Sequence, residues 1–405
     1  MSRARWGEVA VRDDVAYAVG LALGAIILIG TGYLDRSPAA VHGNDFSGFW
    51  AGPRAFLEHH DPYDAATWRA TAIGLGTQTP DTPVYGYLGW ALVLLLPLAA
   101  LPLELASAIW TFGAIALAAL AMRALLREFA PDLPVAHTLV GLTLLASHPA
   151  QTTALEGQWG FMLVAASAAI LVWARHGRTW MPALVSVVLL AKPQLLMLAA
   201  PAVAVWSWAS SRRRFVFVAA AAALTLILLS VALVPQWPGA WLREMPSHRL
   251  FDPPQTTTLA KVLYGLIGAP GSWLAIAVVA ICASVALRFD PASDAWLAVW
   301  LALSPLAALY VWSYDHLLLV VPLVIAIGVS SRRSRRSAIV VAAVGALILV
   351  VATALLAVVA YARNDESYNA VVPLLIFILV TLAVWPERRA LPAAEFVRGY
   401  RGGTA

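Results

Sequence analysis

The sequence predicts an all-α membrane protein, a bundle of about twelve transmembrane helices with no sizeable soluble domain. Three observations carry this. Apolar residues make up 61% of the 405 and charged residues 12%, about half the charged share of an ordinary soluble domain. Mean hydropathy is +0.78. Charge-poor runs near the length that crosses a hydrocarbon core, about 20 residues, recur from one end of the chain to the other.

In chain order these runs fall at roughly 15–34, 84–102, 105–122, 135–154, 158–174, 180–208, 215–235, 272–287, 295–312, 316–330, 337–361 and 369–385. The first has no convincing cleavage site before Asp35, so it is expected to be a retained span and not a signal peptide. Internal prolines mark 84–122 (Pro97, Pro102) and 180–208 (Pro182, Pro193, Pro201) as places where a helix breaks or turns back. No repeat or domain boundary stands out, so residues 1–405 are expected to form one polytopic domain.

Of the 27 basic residues only Lys192 and Lys261 are lysine. The arginines stand in short clusters between apolar runs: Arg3, Arg5 and Arg12; Arg212, Arg213 and Arg214; Arg332, Arg333, Arg335 and Arg336; Arg388 and Arg389. Twelve simple crossings place all four clusters on one side, cytoplasmic by the positive-inside rule, with both termini there and a cytoplasmic tail at about 386–405. That distribution argues against nucleic acid as partner despite a pI near 9.5. The same count puts Arg123, Arg127, Arg175 and Arg178 on the outer side, against the rule, unless a segment before residue 158 is broken or re-entrant. The single cysteine, Cys282, excludes an intramolecular disulfide.

Two long loops then face outward, about 35–83 and 236–271. The first is acidic (Asp35, Asp45, Glu58, Asp61, Asp64, Asp81) and has an amphipathic stretch at 49–59, where Trp50, Pro53, Phe56 and Leu57 share a face suited to the membrane interface. The second carries Trp237, Trp241, His248, Arg249, Asp252, Gln255 and Lys261. Loops of this length in a compact architecture are usually functional.

By physics alone Lys192 is the most unusual residue. A lysine in an uncharged apolar run costs roughly 3 kcal/mol on insertion scales and faces a polar cavity or a partner unless it snorkels to the interface. Pro193 beside it opens the helix. On residue type alone Asp45 reads as a helix N-cap, and Asp61 and Asp64, flanking Pro62-Tyr63, as turn or cap residues.

The run Asn44-Asp45-Phe46-Ser47-Gly48-Phe49-Trp50-Ala51, with Asp61-Pro62-Tyr63-Asp64 after it, resembles the first outward loop of glycosyltransferase family 87. His148-Pro149 with Gly157-Gln158, Lys192-Pro193-Gln194, and Ser304-Pro305 with Trp312-Ser313-Tyr314-Asp315-His316 match further motifs of that family in order and spacing over about 44–320. The family usually opens its second span with an aromatic and a double proline; here the residues are Thr82-Pro83-Val84-Tyr85-Gly86-Tyr87.

The resemblance implies a GT-C-like bundle with short interfacial helices in the first outward loop. It also implies a polyprenyl-phosphate-sugar donor, mannose before other sugars, and an extracytoplasmic lipid-linked or glycan acceptor. Such a donor already carries a good leaving group, so no cofactor or obligatory metal is expected. One carboxylate to deprotonate the acceptor and cations to receive the departing phosphate suffice for inverting displacement. The resemblance makes Asp45 the base. Lys192, Gln194, His316 and Gln158 become donor phosphate and sugar contacts, with Arg54 added to that set and Asp315 expected to fix the His316 tautomer. A lipid or solute transporter of the cell envelope, or a non-catalytic envelope protein, stays open as an alternative. A transporter would be expected to show repeat symmetry, and it gives the acidic first loop no task.

Overall fold

The computed structural model describes residues 3–77, 82–244 and 256–388. Asp81, His248, Arg249, Asp252, Gln255 and Arg389, and nearly all of the tail at 386–405, lie outside the described residues. Within them the only regular structure is helical.

Every apolar run coincides with helix, but the runs do not all cross. Among the described residues seven helices are long and apolar enough to span a membrane, or eight when the pair His148–Glu156 and Gly160–Arg175, bent by 115°, is taken as one. Twelve simple crossings therefore do not describe the fold. Two runs turn back. The first, 84–102, forms only Gly89–Ala99, 11 residues, and both its ends return to the helix Asp45–Leu57: Tyr85 Oη donates to Phe49 O at 3.2 Å and Leu101 O accepts Trp50 Nε1 at 3.1 Å. The second, 180–208, divides into Trp180–Leu189, a 3₁₀ turn at Pro193–Leu196 and Ala199–Ala209. Both ends of that pair lie at one end of the bundle: Arg178 and Trp180 beside Arg214, and Trp206 and Arg212 beside Arg175 and Arg332.

These turn-backs remove the conflict over the arginines. Arg123 and Arg127 both clasp Asp14 of the first helix. Arg175 and Arg332 share Asp294, and the Arg175 guanidinium lies 4.6 Å from the Phe129 ring centre. The arginines expected on opposite sides thus gather at one end of the molecule, the basic end.

Packing follows exposure. Ser313–Ser331 forms the centre, with every residue from Val320 to Ser330 buried. Arg213–Leu233 lies at the periphery, burying only Phe215, Leu226 and Ser230 and presenting an apolar surface of the kind lipid requires. The first helix meets Pro134–Ala146 so closely that a Cβ at Gly20 would stand 2.1 Å from the Thr138 carbonyl oxygen, the small-residue contact typical of membrane helices.

The first long loop does contain short helices, Pro38–His42, Asp45–Leu57 and Trp68–Gly74. Of the face that the sequence assigned to the interface, Trp50 and Pro53 are buried, Phe56 is half-buried and Leu57 is 42% exposed. Phe46, Phe49, Trp50 and Pro53 are buried, because aromatic rings from elsewhere in the chain receive them: Phe46 stacks on Trp110 at 5.8 Å, and Phe49 meets Tyr87 edge-on at 4.6 Å. The helix that carries Asp45 is thereby fixed to the bundle.

Candidate active site

Asp45 begins the helix Asp45–Leu57, behind Asn44, whose side chain accepts the Ser47 N–H as the cap. Capping is thus done by the preceding residue, and the Asp45 side chain stays exposed at the positive end of the helix dipole, where a carboxylate is favoured. Gln158 Nε2 donates to Asp45 Oδ2 at 2.5 Å, and the Glu156 carboxylate accepts the Asp45 backbone N–H. The contact depends on how the helix His148–Glu156 ends. Gly157 takes φ +63°, a left-handed conformation that glycine adopts at no steric cost. The last carbonyls are satisfied from the first loop: Asn44 Nδ2 donates to Leu155 O at 3.1 Å, and Arg36 donates to Ala154 O. Orphan carbonyls at a helix end need such donors, so the same bonds that finish this helix hold Asp45 against Gln158.

Lys192 stands at the break in the 180–208 run. The residue has φ −131° and ψ 71°, outside helical space, and Pro193 after it offers no N–H. The carbonyls freed by the break are met from other elements: Trp90 Nε1 donates to Leu190 O at 2.8 Å, and Ser304 Oγ donates to Leu195 O at 2.7 Å while accepting Ala199 N at 2.9 Å. The Ser304-Pro305 motif thus braces the broken helix.

The ammonium is buried and paired. Lys192 Nζ lies 2.6 Å from Asp315 Oδ1 and 4.3 Å from the Tyr314 ring centre, with Lys192 6% and Asp315 1% exposed. The other Asp315 oxygen accepts the Trp312 N–H at 3.0 Å. Asp315 is therefore engaged away from His316, and the expectation that it orients the imidazole does not hold. His316, fully buried, faces Thr257 Oγ1 at 3.4 Å through Nε2, while Nδ1 has no partner among the described residues.

The helix His148–Glu156, whose end holds Asp45, also meets the turn that carries Asp315: Thr153 Oγ1 donates to Tyr314 O at 3.3 Å. Glu366 closes the edge, accepting Ser313 Oγ at 2.7 Å; burial pushes its carboxyl up, with Asp315 and Asp365 adding.

Asp45 and Gln158 are thus brought into contact, and Lys192 and His316 flank Asp315. Gln194 sits half-buried in the 3₁₀ turn beside Lys192. Arg54 is not drawn in. It pairs with Glu58 at 2.7 Å, nine residues along the helix from Asp45 and so about 13 Å away on the helical rise. Asp61 and Asp64 are turn residues, accepting the Tyr63 and Ala66 N–H groups. Sequence reasoning missed Asp315 as the partner of Lys192, and Glu156 altogether. The signal for Asp315 was there: a lysine in an apolar run calls for an acid, and Asp315 stands in the three-residue gap between the runs 295–312 and 316–330.

The sequence model of glycosyltransferase family 87 matches residues 85–311, more than half of the chain. Gln158, Lys192, Gln194 and Ser304 fall inside the matched range; Asp45 precedes it and His316 follows it. No curated protein matches the chain. Among solved structures, the crystal structure of ArnT from Cupriavidus metallidurans bound to undecaprenyl phosphate is similar to it at 14% identity, over 95% of this chain and 77% of that one, with a TM-score of 0.39.

Proposed function

The chain belongs to glycosyltransferase family 87, and from that premise we propose that this multi-pass membrane protein moves a sugar, mannose in our reading, from a polyprenyl-phosphate-sugar to an extracytoplasmic lipid or glycan acceptor. The observation that carries the reading is an exposed carboxylate, Asp45, oriented by Gln158 at the end of the helix His148–Glu156, which also bonds the turn that carries the buried Lys192–Asp315 pair.

In this mechanism Asp45 takes the proton of the acceptor hydroxyl as that oxygen attacks the anomeric carbon. The bond from that carbon to the phosphate oxygen breaks, the electron pair leaves with the polyprenyl phosphate, and configuration inverts. Gln158 sets the plane of the carboxylate. Lys192, shared with Asp315, supplies charge to the departing phosphate, and His316 and Gln194 border the donor. One positioned base suits inversion, for which paired glycosidase carboxylates are not needed.

Purified protein incubated with labelled polyprenyl-phosphate-mannose and a native lipid extract tests the proposal. Transfer of label to a new lipid or glycan is the expected result. Transfer from a nucleotide-mannose alone, or transport of label across vesicles without transfer, would replace this reading with another.

A further inference from the structure

The basic end carries two arginine-lined clefts, and they differ in charge balance. In one, of about 420 Å³, Glu128 and Asp294 answer two of the three arginines: Arg175 bonds Glu128 at 2.8 Å and Asp294 at 2.6 Å, Arg332 also pairs with Asp294, and Arg212 stacks over the Trp206 ring at 4.7 Å. This network is self-contained and braces helix ends.

The other cleft, of about 480 Å³, lies between the turn after Gly160–Arg175 and the start of Arg213–Leu233, lined by Arg178, Thr179, Trp180, Arg214 and Phe217. No carboxylate lines it, and neither Arg178 nor Arg214 has an ion-pair partner among the described residues. Its rim is apolar and exposed: Trp180 is 70% and Phe217 63% exposed, and Phe217 meets Trp208 edge-on at 5.9 Å. Guanidiniums sharing a cleft with aromatic side chains at the end of a lipid-facing helix form the arrangement in which a phosphate is held while the attached chains lie along apolar surface. A free phosphate would have no use for the aromatic rim.

We propose that Arg178, Thr179 and Arg214 hold the phosphate of an anionic lipid headgroup, with Trp180 and Phe217 against its acyl chains. This site is separate from the one around Asp45. The helix Gly160–Arg175 begins beside Gln158 and runs 16 residues before the cleft, about 24 Å on the helical rise.

The test uses the full chain in detergent, titrated with phosphatidylglycerol or phosphatidylcholine and read by native mass spectrometry for retained lipid, with inorganic phosphate as competitor. Wild type is expected to retain phosphatidylglycerol and not phosphatidylcholine, undisturbed by equimolar phosphate. Arg178→Gln/Arg214→Gln is expected to bind about thirtyfold more weakly, from two charges near an anionic headgroup. Arg388→Gln, at the same end but stacked on Trp385, is expected to bind as wild type. Should the double variant not fold, the exposed single variants take its place, each with a loss of about fivefold. Unchanged retention by the variants, an equal loss in Arg388→Gln, or displacement by equimolar phosphate would overturn the proposal.

Discussion

Lys192 and Asp315 neutralise one another in the protein interior, which decides what each single substitution does. A lysine without a partner would be expected to give Lys192→Met a neutral or improved stability. With Asp315 at 2.6 Å and 1% exposed, Lys192→Met instead leaves a buried carboxylate unpaired, a loss of about 3–5 kcal/mol for a broken buried pair. Asp315→Asn is expected to cost a similar amount, and Lys192→Met/Asp315→Leu to recover most of it, since apolar replacement of a whole pair is close to neutral. Thermal melting in detergent checks the three variants. The double variant is expected to melt near wild type yet transfer no sugar, and recovery of turnover along with stability would remove Lys192 from the donor site.

At the scale of elements, the broken helix is where local sequence and function meet. Proline at 182, 193 and 201 announced a break within 180–208, and the structure puts it at Lys192-Pro193. Residues distant in sequence make it tolerable. Ser304 answers the Leu195 carbonyl within the 3₁₀ turn and the Ala199 amide after it, so Ser304→Ala is expected to cost about 1–3 kcal/mol through unsatisfied buried backbone, read as a fall in melting temperature; an unchanged melt would remove the brace. Gly157 is a second such point. Its φ is +63° and a Cβ there would stand 2.6 Å from the Phe46 Cβ, so Gly157→Ala is expected to displace the residue next to Asp45 and lower turnover more than tenfold at a melting cost of roughly 1–3 kcal/mol. Wild-type turnover in that variant would uncouple the helix end from the site. The helices and the break were legible because apolar runs and prolines are local signals. The burial of Phe46 and Phe49 was not, because an aromatic face looks the same whether lipid or Trp110 receives it.

Across the whole molecule, the arginine rule survives once two runs stop crossing, for the Arg123–Asp14 and Arg175–Asp294–Arg332 pairs collect the basic residues at one end. Cysteine introduced at Ala66 or Ser337, both exposed, in a Cys282→Ala background checks the orientation. A membrane-impermeant reagent is expected to label residue 66 and spare 337 in intact cells, and the reverse pattern would invert the protein. The candidate site was only partly legible: the motifs named Asp45, Gln158, Lys192 and His316, but the pairing of Lys192 with Asp315, 123 residues away, belongs to the tertiary fold. The measurement closest to the central claim is turnover of labelled polyprenyl-phosphate-mannose by Asp45→Asn. Asparagine keeps the shape and cannot take the proton, so transfer is expected to fall by about a hundredfold to ten-thousandfold, with melting temperature and donor binding near wild type. Turnover within a few-fold of wild type would contradict the account.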